Sequence, residues 1–235
     1  MGQMNGKFAI IAGAASSLRD AAATRLRNEG AELAMIDPSA TALQEAVTAS
    51  GRMDALVNVF HAGAEWRDFA ESSGASLATA LEQVNAFAGT MRAAFPLLKQ
   101  AQGRVVNVGS PYGSTAYAKI SDAVTADYAL QGLTRAVAVE WARDNVLVNY
   151  ISPGALDIPE FQAFRKLHGA AVDHRVQGLA LGRLGDPVED FGGALMFLLS
   201  DEACFIIGHP VYADGGQHLV APVFEPGANF AAVVV

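Results

Sequence analysis

Gly103-Arg-Val-Val-Asn-Val-Gly-Ser110 and, after a loop, Ala126-Asp-Tyr-Ala-Leu-Gln-Gly-Leu-Thr-Arg-Ala-Val-Ala-Val-Glu-Trp-Ala-Arg-Asp-Asn-Val-Leu-Val-Asn-Tyr-Ile-Ser-Pro-Gly154 decide the fold. Val105, Val106 and Val108 form an apolar run that ends at Gly109-Ser110. A long helical pattern over 122–143 follows, and a second apolar run from Val146 to Ile151 ends at Ser152-Pro153-Gly154. Short runs of β-branched residues closed by small residues read as buried strands, so the stretch is strand, helix, strand. In an open parallel sheet, the carboxyl ends of such strands are where ligands bind.

Working outward, Phe8-Ala-Ile-Ile-Ala12 reads as another strand buried on both faces. Gly13-Ala-Ala-Ser-Ser17 turns into a helix to about Asn28, and Glu32 to Ile36 forms the next strand, ending at Asp37. This is a βαβ unit of the dinucleotide-binding kind. Ala40 to Ala49 reads as a helix, Asp54 to Asn58 as a strand, and Ser76 to Lys99 as a long amphipathic helix with Val84, Phe87, Ala88 and Met91 on one face.

Taken together, these elements resemble the short-chain dehydrogenase/reductase family. Gly132-Leu-Thr-Arg135 and Glu140-Trp-Ala142 set the register, and Gly182-Arg-Leu-Gly-Asp-Pro-Val-Glu-Asp190 and Ile207-Gly-His-Pro-Val-Tyr-Ala-Asp-Gly-Gly216 match the family further along. The resemblance implies an α/β, Rossmann-like doubly wound parallel sheet over 1–216. Only sixteen residues separate Asp37 from Asp54, too few for a further strand and crossover helix. Six strands are therefore expected, with the family's third, edge strand and one helix missing. Residues 217–235 form an apolar tail expected to pack on a neighbouring subunit.

The same resemblance places the family's catalytic Ser at Ser110 and its relay Asn at Asn85, while the Tyr and Lys positions fall on Ala123 and Asp127. No Tyr-x-x-x-Lys occurs in the chain. Of the three glycines in the cofactor turn only Gly13 matches; Ser17 and Arg19 stand at the others. Asp37 holds the place of the ribose-binding acid, and Asn58 matches the family Asn after the next strand, but His61 replaces a glycine near the cofactor. The expectation is that cofactor binding is lost: Gly13, Asp37 and Asn58 are vestigial, Ser17, Arg19 and His61 block or alter the cleft, and no cofactor binds to this chain.

On this reading the chain is a non-catalytic subunit. It supports an active family member that carries Tyr, Lys and NAD, in a heterotetramer built through helices 76–99 and 122–143; a hydroxyacyl-CoA is one substrate class the family offers. One alternative is a standalone oxidoreductase with rewired residues, drawn from Ser110, Tyr112, Tyr117, Lys119 and His61. Another is a ligand-binding or regulatory protein that uses the vacated cleft.

Bulk properties bound the rest. The chain has 235 residues, of which 51% are hydrophobic, enough for one large core. A net charge of −8 argues against nucleic acid and anionic membranes as partners. No apolar run reaches the roughly 20 residues of a membrane span. The single Cys204 excludes an internal disulfide and fits a cytoplasmic location. His61, His168, His174, His209 and His218 show no i, i+4 pairing, so no metal site is expected.

Overall fold

The computed structural model describes residues 2–61, 67–110, 119–169, 173 and 176–220. Its strands are β1 (Phe8–Ala12), β2 (Glu32–Ile36), β3 (Ala55–Val59), β4 (Arg104–Val108), β5 (Leu147–Pro153) and β6 (Pro210–Ala213). They form one six-stranded sheet in the order β2-β1-β3-β4-β5-β6, and every pairing is parallel. The helices are α1 (Ser17–Asn28), α2 (Ala40–Ser50), α3 (Ala75–Ala101), α4 (Ser121–Trp141), α5 (Pro159–His168) and α6 (Gly192–Leu199).

Two cores explain why the strand sequences are apolar without alternation. On one face, Ile10, Leu56, Val105, Val148 and Tyr150 pack with residues of α2, α3 and α4. On the other, Ala9, Ile11, Val57, Val106 and Ile151 pack with α1 and α6. A strand buried on both faces needs apolar side chains at every position, and β1, β3, β4 and β5 are buried throughout. The sheet edge at β2 is half-exposed, as expected of a sheet that stops there.

Local signals fix the helix ends. Ser16 caps α1, its side chain accepting from the Arg19 N–H, and Ser39 caps α2 by accepting from Ala42 N–H at 3.1 Å. Each cap satisfies one donor that the helix itself leaves without a partner. The long amphipathic helix of the sequence reading is α3, whose buried residues include Val84, Phe87, Ala88 and Met91. No helix among the described residues is long and apolar enough to cross a membrane.

Candidate functional site

The carboxyl ends of β1, β3, β4, β5 and β6 converge on the residues singled out above. At the end of β4, Ser110 is buried, and its backbone N–H donates to Asp127 Oδ1 at 2.8 Å. Asp127 lies on the inner face of α4 with no exposed surface. Its Oδ2 accepts from Tyr150 Oη at 2.6 Å and from Gln131 Nε2 at 3.1 Å. Burial pushes the Asp127 carboxyl above the ordinary range, opposed by the hydrogen bonds from Tyr150, Ser110 and Gln131. Burial, with the Asp127 charge alongside, pushes the Tyr150 hydroxyl far up as well.

The position where the family's Lys would stand is therefore a buried staple joining β4, α4 and β5. Gly109 makes room for it: a Cβ there would come within 1.6 Å of Tyr150 Oη. Ala123, one helical turn earlier, is also buried. Asn85 sits on an exposed part of α3, and Lys119 pairs with Asp68 at 3.5 Å. Tyr112 and Tyr117 lie outside the described residues.

Deeper under the cleft, Asn58 Nδ2 donates to Asn107 Oδ1 at 2.7 Å, and Asn107 Nδ2 donates to Thr134 Oγ1 at 2.8 Å. Asn58 Oδ1 is buried and has no partner among the described residues. His61 is exposed, and its N–H donates to Gln83 Oε1 at 3.1 Å.

The turn between β1 and α1 shows what the missing glycines change. Gly13 lies so close to β3 that a Cβ would stand 2.5 Å from the Val59 carbonyl oxygen. Ser17 opens α1. Arg19 folds back along the turn, and its Nη1 donates to the Gly13 carbonyl at 2.6 Å. Its Nε is buried without a partner among the described residues. A helix start and an unsatisfied guanidinium donor favour negative charge, so this turn fits the phosphates of a dinucleotide. Asp37, exposed just beyond β2, and the spare oxygen of Asn58 fit its hydroxyl and amide donors. Among the described residues no group of three or more His, Cys, Asp or Glu could hold a metal ion.

Sequence reasoning passed over one more arrangement. Asp214, just after β6, is buried, and its Oδ2 lies 2.7 Å from His218 Nδ1. The i, i+4 spacing of Asp214 and His218 is the signal the sequence carries for it.

Comparison with known proteins places these features. A family model described as enoyl-(acyl carrier protein) reductase matches residues 37–218. The uncharacterized oxidoreductase YohF of Escherichia coli K12 is 30% identical over 222 residues, covering 91% of this chain and 85% of YohF. The 12alpha-hydroxysteroid dehydrogenase of a Clostridium species is 28% identical over 185 residues, covering 75% of this chain and 68% of that enzyme. The crystal structure of NAD+-bound xylitol dehydrogenase superposes with a TM-score of 0.77 at 24% identity, over 91% of this chain and 100% of the other, a likeness of fold.

These matches correct the expectation that no cofactor binds to this chain. Its relatives along most of its length are dehydrogenases and oxidoreductases, and the same fold carries NAD+ in xylitol dehydrogenase. The physical reason is visible at Arg19, which replaces a glycine yet adds a cation and a spare donor instead of only bulk. A match over 37–218 to the family model, with relatives along most of the chain, leads to one conclusion: the chain belongs to the short-chain dehydrogenase/reductase family.

Proposed function

We propose that this chain is an oxidoreductase that holds a nicotinamide dinucleotide and moves its proton without the family's Tyr–Lys pair. The observation that carries this is Asp127, whose two oxygens are engaged by Tyr150, Ser110 and Gln131 beneath the cleft. A buried carboxylate engaged in this way holds no ribose hydroxyl and lowers no phenol's pKa. Ala123 has no proton to give. In the bound state the dinucleotide supplies hydride exchange with a substrate carbon. Arg19 and the start of α1 hold its phosphates, and Asp37 accepts from its ribose hydroxyls.

Calorimetric titration of the purified chain with NADH and NADPH tests the reading. The expected outcome is saturable binding in the micromolar range. No heat of binding up to millimolar cofactor sinks it.

A second reading is favoured by α4, which leaves Tyr128 and Val139 exposed, at 57% and 73%. Apolar side chains left exposed on an outer helix face are available to a contact surface. On this reading the chain supports a second, catalytically complete family member in a mixed tetramer, through α3 and α4, with a hydroxyacyl-CoA among the candidate substrates. Purification from the native host separates the two. A co-purifying family member with its own Tyr-x-x-x-Lys supports the mixed assembly, whereas a homo-oligomer that turns over alone excludes it.

A further inference from the structure

The turn after β6 is organised around one carboxylate. Asp214, its side chain 1% exposed, accepts from the Gly216 N–H and the His218 N–H, each at 2.9 Å. The same carboxylate meets His218 Nδ1 at 2.7 Å. The imidazole is stacked on the Tyr212 ring, with centroids 4.1 Å apart and planes 20° apart. Two contacts thus fix the ring, one at its edge and one at its face. A carboxylate at Nδ1 places the neutral ring's proton on that nitrogen and leaves the Nε2 lone pair as the ring's other proton-exchanging atom.

The location is the ligand end of the sheet. Ser152 on β5 pairs in register with Tyr212 on β6. Side chains alternate along a strand, so Ser152 shares the sheet face of Tyr150, and Tyr212 lies beside it opposite to Val211 and Ala213. The Ser152 hydroxyl is buried and has no partner among the described residues. Gly154, at the end of β5, lies so close that a Cβ there would stand 2.8 Å from Asp214 Cβ. A Cβ on Gly216 would stand 2.9 Å from Ala180 Cβ. The dyad is therefore wedged among three chain segments, one strand over from the Tyr150–Asp127 staple.

We propose that His218, oriented by Asp214, is the proton-carrying group of this cleft. In the reducing direction, hydride from the bound dinucleotide reaches a carbonyl carbon, the π pair moves onto the oxygen, and protonated His218 gives its Nε2 proton to that oxygen. The products are the alcohol and the oxidised nicotinamide, and His218 regains its proton from water. The inference rests on the dinucleotide-binding reading above.

Two measurements on the full chain test it, with NADH and the carbonyl probe 1-phenyl-1,2-propanedione. First, diethylpyrocarbonate labelling is followed by mass spectrometry. His218 is expected to be labelled, and to be protected by NADH plus dione; His209, whose Nδ1 meets the Pro210 carbonyl, serves as the unprotected reference. Second, His218→Gln is expected to lose roughly 100-fold or more in kcat, the usual contribution of a general acid, with NADH affinity unchanged. Labelling of His218 that ignores the ligands overturns the proposal without any variant. A His218→Gln protein that binds NADH and reduces the dione like the parent overturns it too, and leaves the dinucleotide reading standing. Failure of the parent chain to bind NADH overturns both.

Discussion

Two buried aspartates at the same end of the sheet have opposite consequences. Asp127 hands both oxygens to groups that belong to the fold: the Tyr150 hydroxyl, the Ser110 N–H and the Gln131 amide. Tyr150 and Ser110 are buried, and only the Gln131 amide is partly exposed. Asp214 also bonds the backbone of its own turn, but one of its partners is the ring of His218, which keeps a second nitrogen. Burial of a carboxylate therefore says little about function by itself. The informative question is whether the chain of hydrogen bonds it begins ends inside the protein or at a surface.

The comparison breaks most visibly at Gly109. A Cβ there meets Tyr150 Oη at 1.6 Å and Asp127 Oδ1 at 2.6 Å, and neither group has space to retreat. Gly109→Ala is expected to cost about 4 kcal/mol or more, seen as loss of soluble protein or a collapse of the urea midpoint. Asp127→Ala comes next. It strands the Tyr150 hydroxyl and the Ser110 N–H, at about 1–3 kcal/mol for each buried donor left without an acceptor. A urea midpoint within error of the parent would show that the staple is not structural.

The Asp127 staple also gives a pH signature. Burial raises the Asp127 pKa in the folded state above its ordinary value. The folded chain then keeps a proton that the unfolded chain has lost. Its contribution is complete below the ordinary carboxylate range and is lost as pH climbs from there through the raised folded value. Asp127→Asn should flatten the melting temperature across that window relative to the parent. Identical slopes in both proteins would remove Asp127 from the titration. Asp214→Ala is a smaller stability change, about 1–3 kcal/mol, because the turn it closes lies at the rim of the sheet.

Much of this was legible in the sequence, and the reasons are physical. Strands buried on both faces have no alternation to misread, so β1, β3, β4 and β5 announce themselves as short apolar runs. Ser16 and Ser39 cap α1 and α2 because a short side-chain oxygen can accept from an N–H that the helix leaves without a partner. The spacing from Asp37 to Asp54 allowed one helix and no further strand, and the sheet order agrees. Residue types at Ala123 and Asp127 were also plain. What Asp127 does was not, because its partner Tyr150 lies 23 residues away on another strand and only the packed fold brings them together. The role of Arg19 is hidden for a related reason: its volume is written in the sequence, but the direction of its guanidinium is not. His218 was passed over because its partner is an aspartate, which one-letter spacing does not distinguish from a solvated surface pair.

Arg19 also gives the prediction with the least effect on stability. Its side chain is half-buried, donates to the Gly13 carbonyl and leaves Nε without a partner. Arg19→Met keeps most of the volume and removes the charge and the donors. Away from the core, such a change is expected to move stability by no more than about 0.5 kcal/mol. Affinity for NADH should respond more, because a hydrogen bond to a charged group contributes about 1.5–3 kcal/mol, or roughly 10- to 100-fold in Kd. Arg19→Gly, the residue the family carries there, separates two roles for the side chain. If the guanidinium holds phosphate, both variants bind NADH more weakly than the parent. If it obstructs the turn, Arg19→Gly binds more tightly than both, and the cation would count against the cofactor it stands beside.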